Sequence, residues 1–165
     1  MKVLIPLDES EGSFYALKWA LDHLFNYSPI DFPNNSQKQP HLITLLNVQH
    51  PFQPYIFAAG PVVYATPTVV DAVRKANEET ATRIFFRALQ MCKEKMIKAE
   101  TLLVEGDPKD TICEVADEQH FDLLVIGSRG LGKIKRAFLG SVSDYCAHHV
   151  NCPILIVKPP KECSM

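Results

Sequence analysis

The chain has 165 residues, of which 47% are hydrophobic and 22% are charged. This composition is that of a folded, soluble protein and excludes a disordered chain, so we expect one domain over residues 1–165. Seventeen Lys and Arg against nineteen Asp and Glu give a net charge of −2, which argues against a generally basic nucleic-acid-binding protein.

The sequence also predicts where the protein resides. No apolar run approaches the roughly 20 residues of a membrane span, and the first residues lack the apolar region and cleavage site of a signal peptide. The five cysteines contain no Cys-x-x-Cys pair, so reduced thiols are expected. We therefore expect a cytoplasmic protein with access to the nucleus, and no membrane or nucleic-acid partner.

Two continuous apolar runs, Val3–Leu7 and Leu42–Val48, are typical of strands buried on both faces of a parallel sheet. Pro6 indicates either that the first strand ends there or that this position needs no ladder partner. An amphipathic helix is predicted between the runs, with Ser10 or Ser13 as its N-cap. Its apolar face comprises Phe14, Leu17, Ala20, Leu21, Leu24 and Phe25. The polar segment Ser28–Pro40 is predicted to be a surface loop.

The middle of the chain combines a proline-rich segment with a long helix. Pro51–Pro67 is rich in proline and aromatic residues, so we expect an irregular loop that covers the core, a ligand or a partner. A helix is predicted from Thr68 to about Lys98. Its apolar stripe comprises Val69, Val73, Ala76, Thr80, Ile84, Ala88 and Cys92. A short strand, Thr101–Val104, is predicted next.

The second half continues the alternation of helices and strands. Asp107 is the predicted N-cap of a helix that has Pro108 in its first position and that turns Ile112, Val115 and Ala116 inward. The remaining predicted elements are a strand Phe121–Ile126, a helix Ser141–Val150 and a strand Pro153–Val157. This order predicts the α/β class: three layers around an open, parallel, five-stranded Rossmann-like sheet. Such sheets bind ligands at the carboxyl ends of their strands, here strands one, two and four.

A glycine-rich stretch follows the fourth predicted strand. It begins Gly127-Ser128-Arg129-Gly130 and ends Gly140-Ser141-Val142-Ser143. Glycines let backbone N–H groups approach a ligand closely, and a helix N-terminus favours an anion. The stretch from Gly127 to Ser143 carries four basic side chains, Arg129, Lys133, Lys135 and Arg136. The stretch has the chemistry of a phosphate site.

Two familiar phosphate motifs do not fit this stretch. A Walker A loop needs Ser or Thr where the chain has Ile134, and a dinucleotide fingerprint needs glycine where it has Lys135. The residues alone leave two interpretations open: a phosphate loop, or a glycine turn followed by a solvated basic face. Lys133, Lys135 and Arg136 either reach distal phosphates or belong to that face.

The spacing Gly127-x2-Gly130-x9-Gly140-Ser141 matches the nucleotide-binding signature of the universal stress protein family, which this chain resembles throughout. Val3–Asp8, Leu45–Val48 and Cys152–Val157 are similar to the family's first, second and last strands. Gly127–Gly132, followed by Lys135-Arg136 and Leu139–Cys146, is especially similar to plant members. The resemblance implies binding of ATP or AMP, with Mg²⁺ or Mn²⁺ carried by the phosphates.

The same resemblance implies roles for individual residues. It places Asp8 near ribose and adenine, the Val48 backbone against adenine, and Gly127, Arg129 and Gly130 around the ribose and first phosphate. The full set of nucleotide-binding residues it implies is Pro6, Leu7, Asp8, Val48, Ile126, Gly127, Arg129, Gly130, Gly140, Ser141, Val142 and Ser143. Asp8 has a second interpretation as the N-cap of the first helix.

The function that the resemblance implies is a nucleotide-dependent stress-response switch with protein clients that the sequence does not name. Two alternatives stay open: slow ATP hydrolysis or other small-molecule catalysis in the same cleft, and an interaction module with a structural nucleotide. The residues themselves suggest a homodimer, because the apolar run Pro153–Val157 would form an edge strand that ends at Pro159.

Catalytic and metal-binding residues are not predicted. No Ser–His–Asp or paired-carboxylate arrangement can be assembled from the sequence. Cys146, His148, His149 and Cys152 are close in sequence, but adjacent residues on one helix diverge by about 100°, which argues against a tetrahedral zinc site. We expect Cys146 to be buried and the histidines to lie at a helix C-terminus.

Overall fold

The structure is a computed structural model that describes residues 1–25, 42–51, 67–128 and 139–160. In chain order its strands and helices are β1 (Lys2–Pro6), α1 (Glu11–His23), β2 (Leu42–Gln49), α2 (Pro67–Glu94), β3 (Ala99–Glu105), α3 (Pro108–Glu118), β4 (Leu123–Gly127), α4 (Ser141–His149) and β5 (Ile154–Val157). The predicted loop Ser28–Pro40 and nearly all of Pro51–Pro67 lie outside the described residues.

The five strands form one parallel sheet in the order β3-β2-β1-β4-β5. The chain moves outward from β1 to β3 on one side and then crosses to β4 and β5 on the other. The strand order therefore reverses between β1 and β4, and this reversal is where an open α/β sheet binds its ligands. The predicted fold class is confirmed.

The strands are buried on both faces because helices cover both faces. Val3 and Ile5 of β1 belong to one apolar core with α1 and α2, whereas Leu4 belongs to the other, with α3 and α4. Each of these three side chains is fully buried. This packing explains why the strands read as continuous apolar runs rather than alternating ones.

At the amino edge of the sheet, polar contacts of Lys2 join β1 to the segment that precedes β4. The Lys2 backbone N–H donates to Asp122 at 2.6 Å, and the Lys2 ammonium donates to the Gln119 carbonyl at 2.7 Å. The ammonium also lies 4.9 Å from the centroid of the Phe121 ring. Because Phe121 and Asp122 have these roles, β4 begins at Leu123 rather than at the predicted Phe121.

Helix α2 differs most from its prediction. The helix ends at Glu94, four residues before the predicted Lys98, because Met96 adopts a left-handed φ of 56° and the Ile97 N–H returns to the Cys92 carbonyl. Glycine usually occupies such a position, so the sequence carries no stop signal there. Helix α3 ends in the same way, with His120 at φ 52°.

The predicted apolar stripe of α2 is correct only in its second half. Ile84, Ala88 and Cys92 are buried, whereas Val69 is 50% exposed. A helix of 28 residues is about 42 Å long, and strands of this sheet span about 13–26 Å. The Gln49 amide at the end of β2 donates to the Asn77 carbonyl at 2.6 Å, which shows how far along α2 the sheet reaches.

The other predictions for the helices agree closely with the structure. Ser10 is the N-cap of α1 and Asp107 is that of α3, and the predicted inward residues of α3 are buried or nearly so. Strand β1 ends at Pro6, which confirms the first of the two interpretations of that proline, that it marks the end of the strand. No helix in the described ranges is both long and apolar enough to cross a membrane.

Replacement of Met96 by glycine tests the helix-ending turn. Met96 is 92% exposed, so its removal costs little packing, while glycine relieves a left-handed strain of about 1–2 kcal/mol and loses part of that gain to backbone entropy. We expect Met96→Gly to raise the free energy of unfolding in urea by about 0.5 kcal/mol or more. Met96→Ala is the matched control and should give no gain. A less stable Met96→Gly protein would contradict this account.

Candidate functional site

Buried polar side chains gather at the carboxyl edge of the sheet. Seven polar residues are buried in the described part of the chain, and only Thr44, inside β2, lies away from this edge. The other six are Ser10, Ser13, Asn47, Thr111, Ser128 and Ser143. Burying a polar group is unfavourable unless it is hydrogen-bonded, so this edge is an organised polar region rather than a hydrophobic core.

Asp8 follows β1 at the point where the strand order reverses. Its Oδ1 accepts hydrogen bonds from the Ser10 backbone N–H at 3.0 Å and, more closely, from the Ser10 hydroxyl. Ser10 in turn caps α1, so the interpretation of Asp8 as the N-cap is wrong: Asp8 supports the residue that caps the helix. Oδ2 has no hydrogen-bond partner among the described residues and remains available to a ligand.

Gly127 ends β4 and packs directly on the start of α1. A Cβ at this position would lie 2.7 Å from the carbonyl oxygen of Gly12 and 3.2 Å from the backbone nitrogen of Ser13. Both neighbours are backbone atoms that cannot rotate away. The sequence predicted a glycine here for close approach to a ligand, and the structure adds a second reason, the close approach of a helix.

Helix α4 begins beside the end of β4. The Gly140 N–H donates to the Ser128 carbonyl at 2.8 Å, and no side chain caps the helix. Within the described residues, nothing accepts from the backbone N–H groups of Ser141, Val142 and Ser143. Uncapped N–H groups at a helix N-terminus, together with the helix dipole, form a site for an anion.

The hydroxyl of Ser143 is already engaged. It is only 2% exposed and lies 3.1 Å from the Ser128 carbonyl and 3.0 Å from the Gly140 carbonyl, to which it donates. It therefore fixes the turn before α4, and its N–H is the group left for a ligand. Ser141, by contrast, is exposed.

The acidic residues beside Asp8 are neutralised by cations on α2. Arg87 donates to both carboxylate oxygens of Glu11, at 2.9 and 3.0 Å, and its hydrogen bond holds the pKa of Glu11 below the usual range. Arg83 lies 3.6 Å from Glu9. The guanidinium of Arg87 also stacks 3.9 Å above Phe14. These pairs reduce the repulsion that an anionic ligand would meet near α1.

The structure brings together most of the residues that the family resemblance implied. Those at the carboxyl edge are Pro6, Leu7, Asp8, Val48, Ile126, Gly127, Gly140, Ser141, Val142 and Ser143. Arg129 and Gly130 lie outside the described residues, as do Lys133, Lys135 and Arg136. Asn47 and Ser128 were not predicted. The signal that could have identified Asn47 is a polar amide within a mostly apolar strand.

The His and Cys residues of α4 have structural contacts. Cys146 is fully buried, as predicted, and burial raises its pKa. His149 stacks on Tyr145 with the ring centroids 3.8 Å apart, and its Nδ1 lies 2.8 Å from the Tyr145 carbonyl. In the part of the chain that is described, no three His, Cys, Asp or Glu side chains converge on a point where a metal ion could bind.

An open parallel sheet that has helices on both faces and a reversal of strand order defines the Rossmann-like class of ligand-binding folds. Residues 1–158 match the model of the universal stress protein family. The chain belongs to this family.

The chain resembles family members from plants and elsewhere. A universal stress protein A-like protein of Arabidopsis thaliana is 31% identical over 143 residues, which cover 87% of this chain and 76% of that protein. The crystal structure of an Arabidopsis family member with AMP bound has a TM-score of 0.66 and 26% identity, covering 98% of this chain and 93% of the other. A universal stress protein in complex with cAMP has a TM-score of 0.60 and 25% identity, covering 95% and 96%.

Gly127→Ala tests the contact between β4 and α1. A Cβ that meets backbone must displace it, and such overpacking costs about 1–3 kcal/mol, so we expect a loss of that size in the free energy of unfolding. Gly140→Ala is the matched control, because Gly140 has φ −68° and ψ 155°, which any residue adopts. We expect its stability to change by less than about 0.5 kcal/mol. Equal losses in both variants, measured in urea, would refute the contact as the cause.

Proposed function

We propose that this protein binds an adenine nucleotide, ATP or AMP, and acts as a nucleotide-dependent switch in a stress response. The observation that carries the proposal is the start of α4, which has no side-chain cap and follows β4, the strand beside which the strand order reverses. Relatives of the same fold that hold AMP and cAMP support adenine as the base.

In this proposal the nucleotide lies along the carboxyl edge from β2 to α4. Adenine rests against the backbone of Val48, and the free oxygen of Asp8 contacts the ribose. The N–H groups of Ser141, Val142 and Ser143 bind phosphate, and Arg129 and Gly130 contact the ribose and first phosphate. Pro6, Leu7, Ile126 and Gly127 form the floor.

A divalent ion, Mg²⁺ or Mn²⁺, would enter with the nucleotide. Because no cluster of metal-binding side chains converges in the described residues, the phosphates would supply its principal ligands. The ion would neutralise the phosphates in this site.

Nucleotide acts as a switch in this proposal because it completes α4. A ligand that binds only the folded state stabilises that state by RT ln(1 + [L]/Kd). The stabilisation is greatest at the start of α4, where the nucleotide replaces water on free N–H groups. The start of α4 and the segment before it thus differ in stability between the free and bound protein. A protein client that contacts this edge would distinguish the two states. We place this activity in the cytoplasm.

We also propose that the protein is a homodimer that pairs through β5. Ile154, Leu155 and Ile156 are all partly exposed on this edge strand, and Pro159 and Pro160 stop the ladder shortly after it. The opposite edge, β3, exposes Glu100 and Glu105, so a second copy there would bring four carboxylates together. The β5 edge is the better surface for self-association.

Gly140→Val tests the nucleotide site. A branched side chain at the start of α4 blocks the approach of phosphate, so calorimetry should show the affinity for AMP and ATP falling tenfold or more, about 1.4 kcal/mol. His148→Ala, at the exposed far end of the same helix, should bind as the unmutated protein does. Unchanged binding in a folded Gly140→Val protein would mean that the site is misassigned.

Ile154→Asp or Ile156→Asp tests the dimer. A carboxylate buried in a strand-to-strand interface is unfavourable, so light scattering should show a shift from dimer to monomer mass. Leu103→Asp, on the β3 edge, should leave the dimer intact, and circular dichroism would confirm that each variant is folded. A monomer mass for the unmutated protein at micromolar concentration would exclude the dimer.

A further inference from the structure

We propose that Ser13 is a positioning residue for the nucleotide, which acts by fixing Asp8 without touching the ligand. This inference rests on the proposed function, since it concerns the same site. Ser13 is 6% exposed and lies in the first turn of α1, so its side chain faces the protein rather than the cleft.

The Ser13 hydroxyl holds the backbone on both sides of the Asp8 side chain. It accepts from the Asp8 N–H at 3.3 Å, and it shares its proton between the Asp8 carbonyl oxygen at 3.1 Å and the Ser10 carbonyl oxygen at 3.0 Å. Strand β1 ends at Pro6, so these two backbone groups have left the sheet ladder. The Ser13 hydroxyl therefore provides hydrogen bonds for the Asp8 N–H and carbonyl, which have no partner in the sheet.

Two other buried polar residues restrain Asp8 from different directions. Ser10 holds Oδ1 through its N–H and its hydroxyl, which fixes the rotation of the carboxylate and leaves Oδ2 free. The Asn47 amide, which is 6% exposed, donates to the Leu7 carbonyl at 2.8 Å, one residue before Asp8. Backbone and carboxylate are both held before any ligand arrives.

Such restraint raises affinity because a group held in its bound geometry loses less freedom on binding. A simpler explanation is that these hydrogen bonds only cap α1 and stabilise the fold. The two explanations differ in what happens when the Asp8 carboxylate is removed. A stabilising role of Ser13 persists without the carboxylate, whereas a positioning role in binding requires it.

The experiment compares Ser13→Ala, Asp8→Ala and the double variant with the unmutated protein. The affinity for AMP is measured by calorimetry and the free energy of unfolding in urea. Thr111→Ala is the matched control, because it also removes a buried hydroxyl, 6% exposed, near the carboxyl edge, but from α3 beside Gly106. Circular dichroism confirms that each variant is folded.

We expect Ser13→Ala to weaken AMP binding about fivefold to tenfold in the unmutated background and less than twofold in the Asp8→Ala background. Its effect on unfolding should be similar in both. Thr111→Ala should lower stability and leave the affinity unchanged. That combination would establish Ser13 as acting through the Asp8 carboxylate.

Three outcomes would overturn the inference, and they are distinguishable from failure of the proposed function. If Ser13→Ala binds AMP normally while Asp8→Ala does not, the function stands and the positioning role is wrong. An equal loss of affinity in both backgrounds, or an equal loss in Thr111→Ala, would mean a general structural effect. Absence of AMP binding by the unmutated protein would instead refute the proposed function itself.

Discussion

The close contact between Gly127 and Gly12 is the constraint on which the site depends. Because Gly127 lacks a side chain, the end of β4 can lie against the backbone of the first turn of α1, at distances that a Cβ would not allow. This contact brings the segment after β1 close to the segment after β4. Asp8, held by the first turn of α1, and Ser128, which holds the start of α4, therefore flank the same edge of the sheet.

The turns that lead into α1 and α4 are held by the same kind of hydrogen bond. A buried hydroxyl near the start of each helix returns to a carbonyl just after a strand: Ser13 to Asp8 on α1, and Ser143 to Ser128 on α4. In each case the hydroxyl serves backbone that has left the sheet ladder. Unpaired buried carbonyls are unfavourable, so these serines hold the strand-to-helix turns in fixed positions. The edge that binds ligands in this fold class is rigid because of them.

The fold was largely predictable from the sequence because its signals are local. Continuous apolar runs mark strands buried on both faces, and Ser10 and Asp107 mark helix starts by their own hydrogen bonds. The end of α2 was not predictable, because Met96 takes a left-handed conformation that side chains disfavour and no glycine marks the position. The exposed first half of α2 was missed for a similar reason: periodicity predicts which face of a helix is apolar, but not how far the sheet beneath it extends.

The sequence predicted which residues gather at the carboxyl edge of the sheet, but it did not predict the contacts that those residues make. Glycine spacing located Gly127 and Gly140, yet spacing does not reveal that Gly127 packs on a helix. The roles of Asn47 and Ser143 depend on partners distant in sequence, 40 residues away for Asn47 and 15 for Ser143. Such contacts follow from strand order, which fixes which turns become neighbours. A pattern read along the chain does not contain that order.

The starts of α1, α3 and α4 differ in whether a side chain caps the free N–H groups. Side chains cap α1 and α3, through Ser10 and Asp107, whereas α4 begins at Gly140 with no side-chain cap. A glycine N-cap costs only a few tenths of a kcal/mol relative to serine or aspartate, because water reaches the free N–H groups. The same openness lets an anion replace that water, and an aspartate cap would repel it. Of these three helices, α4 is therefore the one whose start would gain most from a bound phosphate.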